Sequence, residues 1–178
     1  MIKVVLKWFL LSILDKLFGL IALILSPVTS IFVDQYGNLP KFLSWFQTPD
    51  SNMFGADGDI GFRDRNKHLI GSFIGRWWVC IKWQWRNTGQ GFSMRLGLDE
   101  YVMIVDRSIW ENDGIHFERV RAYQNGKLTG FEEWGGWKWT KNRYFRYRLG
   151  WKFGFSEGKG KTFKAMLANS ITPFKKLD

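Results

Sequence analysis

LFGLIALILSPVTSIFV, Leu17 to Val33, carries no charge, and a second apolar run from Val4 to Leu14 stands directly in front of it. The pair reads as a membrane anchor. At about 1.5 Å per residue the uncharged stretch makes a helix of roughly 25 Å, slightly short of a ~30 Å hydrocarbon core. Length therefore leaves three geometries open. A single span begins near Leu14 with Asp15 and Lys16 at its edge; the two runs form a helical hairpin around Asp15 and Lys16; or the first run lies in the interface ahead of a span. In that first run only Lys3, Lys7, Ser12 and Asp15 interrupt Val4, Leu6, Trp8, Phe9, Leu11, Ile13 and Leu14, which suits an interfacial helix. Pro27 removes an amide donor, a defect that membrane helices tolerate where neighbouring groups take up the freed carbonyl. Two readings compete: a cleaved signal peptide, with Lys3 and Lys7 in front and small residues near Ser26 to Ser30 behind, and a buried core helix.

Outward from the anchor, the chain of 178 residues divides into an anchor and linker, 1–38, and a basic domain, 39–178, helical over 39–89 and strand-rich over 91–172. Tryptophan accounts for 11 residues and aromatics for 18% of the chain, far above ordinary use. Indoles favour the membrane–water interface, and a core packed with them is the alternative. Cys80 is the only cysteine, so neither an intrachain disulfide nor a cysteine-based zinc site can form. The net charge of +10 is concentrated late: from Trp134 onward eleven basic residues face only Glu157 and Asp178. Such a cluster beside an anchor suits anionic lipid headgroups, at about 1 kcal/mol per surface cation. Nucleic acid is the competing anion, and a solvated face is the plain alternative. Lys3, Lys7 and Lys16 favour an inside N-terminus, while a hairpin returns the domain to the cytoplasm; a cytoplasmic domain is the expectation.

In chain order, Tyr36-Gly37-Asn38 marks a turn, and Pro40 opens a short helix with Leu39, Phe42, Leu43 and Phe46 on one side and Trp45 beside them. Asp57-x-Asp59, among glycines, is a weak cation candidate that lacks the far acidic ligand of a calcium loop. From Asn66 to Arg86, Ile70, Phe73, Ile74, Trp77, Trp78, Ile81 and Trp85 recur at helical spacing, and Gly71 and Gly75 would admit a close neighbour. His68 and His116 are isolated. Beyond Gly91 alternation predicts strands at Phe92–Leu96, Tyr101–Asp106, Ile115–Tyr123, Lys127–Glu133, Trp137–Trp139, Arg143–Leu149, Trp151–Phe155 and Thr162–Ile171, with Asn125-Gly126 the strongest hairpin signal and Ser156 to Gly160 a flexible turn. The expected class is α+β: an N-terminal membrane-anchoring helix or helical hairpin, amphipathic helices, then an antiparallel β-meander.

Arg143, Arg146, Arg148 and Lys152, backed by aromatics, are the candidate anion- and headgroup-binding residues, and Trp8, Trp45, Trp77 and Trp78 the candidate membrane-interface residues. The sequence holds no GxSxG, no phosphate loop, no GxGxxG opening a helix and no HExxH; Gly160-Lys161-Thr162 lacks its opening glycine, since Phe155 stands there. Glu132 and Glu133 alternate to opposite faces of a strand. A non-enzymatic protein without cofactors is the expectation, with a hydrolase or transferase as a further alternative.

Leu39-Pro40, Trp45-Phe46-x-Thr48-Pro49-Asp50, Gly58-Asp59, Trp83-x-Trp85-Arg86-Asn87 and Arg146-x-Arg148-x-Gly150-Trp151-Lys152 together resemble an uncharacterised family of small membrane-anchored proteins of tailed bacteriophages. The resemblance implies a phage origin and a bacterial host inner membrane, with no activity or site residues attached. Two functions follow as expectations. One is an interaction or remodelling factor, or a virion component, that contacts the lipid bilayer and a protein partner there; the other is a membrane-tethered nucleic-acid-binding module.

Overall fold

Both apolar runs join in one unbroken helix, α1, Ile2–Thr29. The computed structural model describes residues 1–49, 51–55, 59–99, 104–153 and 164–176. Asp15 and Lys16 lie within α1 and no hairpin bend forms there, because neither residue breaks the backbone ladder. Pro27 is accommodated near the C-terminal end, where a short 3₁₀ turn, Ser30–Phe32, closes the helix. Further helices and a six-stranded antiparallel sheet follow, an α+β fold. The chain forms two compact units, one of Met1–Ser12 with Arg95–Asp178 and the other of Ile13–Met94.

In the second of these units the Pro40 segment is a 3₁₀ helix, Lys41–Phe46, rather than an α-helix. The helix expected over Asn66–Arg86 is broken in two: α2, Ile60–Asn66, runs into a 3₁₀ turn at Lys67–Leu69, and α3 covers Phe73–Arg86. Ser72 is the reason. Its hydroxyl accepts from the Gly75 amide at 3.1 Å and caps a new helix. The glycines serve that reversal rather than a helix–helix contact: a Cβ on Gly75 would lie 1.9 Å from the Leu69 carbonyl oxygen, and one on Gly71 would meet nothing. Met53, Phe54, Phe62, Val79, Cys80 and Trp83 form the core of this unit. Burial pushes the Cys80 thiol up to about 12.

Phe92–Leu96, expected as a strand, is instead mostly helical: α4 covers Gln90–Arg95. Tertiary contacts override the alternation, since Phe92 stacks on Phe18 at 4.3 Å and the Ser93 hydroxyl donates to the Asp15 carboxylate at 2.6 Å.

In the other unit β1 (Leu98–Asp99), β2 (Ile104–Asn112), β3 (Ile115–Gln124), β4 (Lys127–Thr140), β5 (Arg143–Lys152) and β6 (Lys164–Lys176) pair in the order β1-β6-β5-β4-β3-β2. Asn125-Gly126 turns the β3–β4 hairpin with both residues at positive φ, 52° and 72°, and Asp113-Gly114 does the same between β2 and β3 at 55° and 72°. β4 is one strand where alternation predicts two; Gly135 and Gly136 carry the ladder across, paired with Tyr147 and Arg146. Pro173 falls where the β5–β6 register shifts, a place that needs no ladder donor. Tyr101 to Met103 and Ser156 to Gly160 lie outside the described residues. On one sheet face, Phe131, Trp151 and Leu167 pack with Val4, Trp8 and Leu11 of α1.

Candidate membrane interface

Residues of α1 face inward at Val4, Trp8, Leu11, Ser12, Asp15, Gly19, Ala22, Ser26 and Thr29, steps of one to four residues that trace one narrow stripe. Past Leu11 the stripe is small or polar, apart from half-buried Phe18 at its edge, which packs on Phe46 and Phe92. Asp15 meets Ser93; Thr29 donates to the Gln84 side-chain oxygen at 2.9 Å; and Gln84 donates to the Ser30 hydroxyl at 2.9 Å. The carbonyl of Leu23, which would receive the amide that Pro27 lacks, is taken up by the Ser26 hydroxyl at 2.8 Å and by Trp85 Nε1 at 3.4 Å. Trp77 Nε1 donates to the Pro27 carbonyl at 2.8 Å.

The opposite face of α1 is the reverse of what water selects. Leu6, Ile13, Leu17, Leu20 and Ile24 are exposed there, Ile24 at 64%, and Lys3, Lys7 and Lys16 fall on the flanks at about 100° per residue. By length and composition the helix suffices to cross a membrane, and only 11% of its most apolar 18-residue window is buried, which is not the state of a soluble core helix. Phe73, Ile74 and Trp78 of α3 are also exposed, Trp78 edge-on to Trp85 at 5.8 Å. Of the interface candidates, Trp45 and Trp78 are exposed, whereas Trp8 and Trp77 anchor structure: Trp8 Nε1 donates to the Ala168 carbonyl at 2.9 Å and its ring meets Phe131 edge-on.

Among the basic candidates, Arg146, Arg148 and Lys152 share one face of β5 by register, and Arg143 has the opposite parity. Arg143 is exposed; Arg146 and Lys152 are half-buried, and Lys152 is already engaged. Arg148 is committed elsewhere. Its Nε donates to the fully buried Glu132, whose other oxygen accepts from the Phe153 amide at 2.9 Å, and its guanidinium lies 4.4 Å over the Trp134 ring. Burial holds the Glu132 carboxyl above its ordinary range, and the Arg148 cation opposes that rise in part. On the same face Arg107 Nε pairs with Glu118 at 3.2 Å, and His116 packs 4.5 Å from Trp134. Glu133 points the other way, to Arg119 and Arg121. These carboxylates are thus occupied by guanidinium groups, and the arrangement staples neighbouring strands.

Asp57 lies outside the described residues. Asp59 caps α2, accepting from the Phe62 amide at 2.7 Å, and pairs with Arg86. Among the described residues no group of three or more His, Cys, Asp or Glu is placed to hold a metal ion.

Sequence reading missed a cluster at the sheet end that carries the Asp113-Gly114 hairpin. Trp110 stacks on Phe117 at 5.4 Å, Trp137 on Phe145 at 4.0 Å, and Trp139 on Phe174 at 6.3 Å. Trp110, Trp137, Trp139, Ile171 and Phe174 are all exposed. The signal in the sequence was Trp137-x-Trp139, whose spacing puts both rings toward one side of a strand.

No curated protein and no solved structure matches the chain. One family model matches residues 1–178, the chain's whole length: the chain belongs to DUF7338, a family of unknown function.

Proposed function

We propose that this is a non-enzymatic protein of the bacterial membrane, held there by α1 lying in the plane of the interface, with its basic domain on the cytoplasmic side. It would act as an interaction or remodelling factor or as a virion component. The bacteriophage setting comes from the sequence resemblance.

The observation that carries the reading is the inverted polarity of α1: a largely small and polar stripe inside with Phe18 at its edge, and large apolar side chains outside with lysines only on the flanks. Membrane helices associate through small residues and polar contacts because lipid is as apolar as leucine. An in-plane orientation is favoured over a span because, in the unit of Ile13–Met94 taken alone, α1 carries Asp15, Ser26 and Thr29 bonded to polar side chains along the middle of the stretch that would otherwise cross the hydrocarbon. Lys3, Lys7 and Lys16 on the flanks suit an interfacial helix that sinks its apolar face beneath the headgroups. The same bonds argue against a cleaved leader, which has no need of them.

Two measurements test this. Leu17→Lys with Ile24→Lys places two charges on the exposed face without touching the stripe; the variant should fold and leave the membrane fraction, whereas retention after a carbonate wash would refute the anchor. For orientation, Ile2→Cys and Ile31→Cys should both be labelled by an impermeant maleimide from the same side of sealed vesicles. Labelling from opposite sides would establish a span.

A further inference from the structure

We infer that the aromatic end of the sheet is a second membrane contact, one that sets its indoles into the headgroup layer of an anionic bilayer; the inference rests on the membrane reading of α1. Trp137 and Phe145 belong by register to the same sheet face as Trp151 and Leu149, against which the first turns of α1 pack. The sheet therefore presents exposed indoles on the side that also carries the lipid-seeking helix. Gly135 makes room for them: a Cβ there would lie 2.6 Å from the Phe117 ring and 3.0 Å from the Tyr147 hydroxyl. Glycine in the strand allows rings from neighbouring strands to close into one apolar surface.

Charge selects the occupant. Lys141 and Arg143 are exposed at the patch, Arg143 with the parity of Phe145, whereas Lys138, Arg146, Lys175 and Glu111 fall on the opposite sheet face by register. Lys138 on that other face pairs with Asp113 at 3.9 Å, which leaves Lys141 and Arg143 as the exposed cations at the patch. An exposed aromatic patch rimmed by cations matches a bilayer interface, where indole rings sit at headgroup level and cations meet anionic lipid. Single-stranded nucleic acid also takes aromatics and cations, but it needs ring faces open to stack on bases. Here Trp137 is stacked on Phe145 at 16° and tilted against both Trp139 and Tyr147, and Trp110 lies at 9° to Phe117. The rings are stacked upon each other.

The test uses the full chain. Cys80 is buried, so Trp139→Cys offers one reactive thiol for an environment-sensitive fluorophore. With phosphatidylethanolamine–phosphatidylglycerol vesicles the label should shift to the blue and be quenched by lipids spin-labelled near the headgroup, and an oligothymidylate should leave it unchanged. Arg143→Gln should weaken vesicle partitioning about fivefold, as roughly 1 kcal/mol per surface cation implies. If the protein floats with vesicles but the label keeps its aqueous spectrum, the inference fails and the α1 anchor stands. Failure to float at all overturns both. A shift with the oligonucleotide alone would give the patch to nucleic acid.

Discussion

Replacing Arg148 by Met should strand the Glu132 carboxylate. That side chain is fully buried, and its remaining partner would be one backbone amide, from Phe153. Removing one member of a buried ion pair costs about 3–5 kcal/mol, because the surviving charge stays desolvated. Loss of the cation over Trp134 adds about 0.5–2 kcal/mol. Against a total stability of about 5–15 kcal/mol, that is a large fraction. The pH dependence identifies the cause. Burial already raises the folded-state pKa of Glu132 above its ordinary 4.5, so the native state holds this proton more tightly than the unfolded chain does. The linked stability is complete below pH 4.5 and is lost as pH rises through the raised folded value. Without Arg148 the folded value climbs further and the window widens upward. Melting in detergent micelles from acid to neutral pH should show a defect that is small in acid and grows by up to about 1.4 kcal/mol per pH unit within that window. Glu132→Leu added to Arg148→Met should recover most of the loss, since an apolar pair can replace a buried ion pair at little cost. A defect equal at acid and neutral pH, or a double variant no better than the single one, would refute the stranded-charge account.

Other outcomes follow from single contacts. Trp85→Phe removes the donor to Ser26 and to the Leu23 carbonyl, and should lower stability by about 1–3 kcal/mol in the same melts; no change would mean that Ser26 alone satisfies that carbonyl. Cys80, buried and with its thiol pushed up to about 12, should resist alkylation in the native protein and react fully once unfolded. Fast native labelling would place it at the surface. Two glycine replacements should differ sharply. Gly126→Ala meets only backbone strain at φ 72°, about 1 kcal/mol, whereas an alanine Cβ at Gly150 would also lie 2.0 Å from the Phe131 carbonyl and should prevent the sheet from forming. Urea titration distinguishes the two.

Much of the architecture was legible because local chemistry and tertiary structure agree. Asn125-Gly126 wants positive φ twice and obtains it; β3 follows its alternation; α1 follows its hydrophobicity; β5, by contrast, runs unbroken through Gly150, where the alternation predicts two strands. The misreadings lie where a single polar atom decides. Ser72 breaks an otherwise continuous helical period by capping α3, and Ser93 meets Asp15 from a segment whose apolar spacing alone indicates a strand. The candidate site was less legible for a related reason. Arg143, Arg146, Arg148 and Lys152 look alike in one strand, yet Arg148 is distinguished by Glu132, which stands opposite Gly150 across the β4–β5 register. No sequence spacing reveals a cross-strand partner until the register is known.

The polarity of α1 shows why hydropathy and helical period answer different questions. A water-soluble amphipathic helix hides its large apolar face, and its period locates the core. In α1 nearly every position is apolar, so the informative residues are the exceptions: Ser12, Asp15, Gly19, Ser26 and Thr29, spaced three to seven apart on one line. Read as blemishes in a span they carry nothing. Read as the packing stripe, they mark the side on which the helix packs, and leave the opposite side to the lipid of the proposed anchor. Lysines on both flanks suit the in-plane orientation proposed above, in which their stems lie along the apolar face and their ammonium groups reach headgroups. Moving one hydrophile to the outer face, as in Leu20→Lys, should therefore weaken membrane binding while sparing the fold, and moving one large aliphatic to the stripe, as in Ala22→Leu, should spare the membrane affinity while damaging the fold.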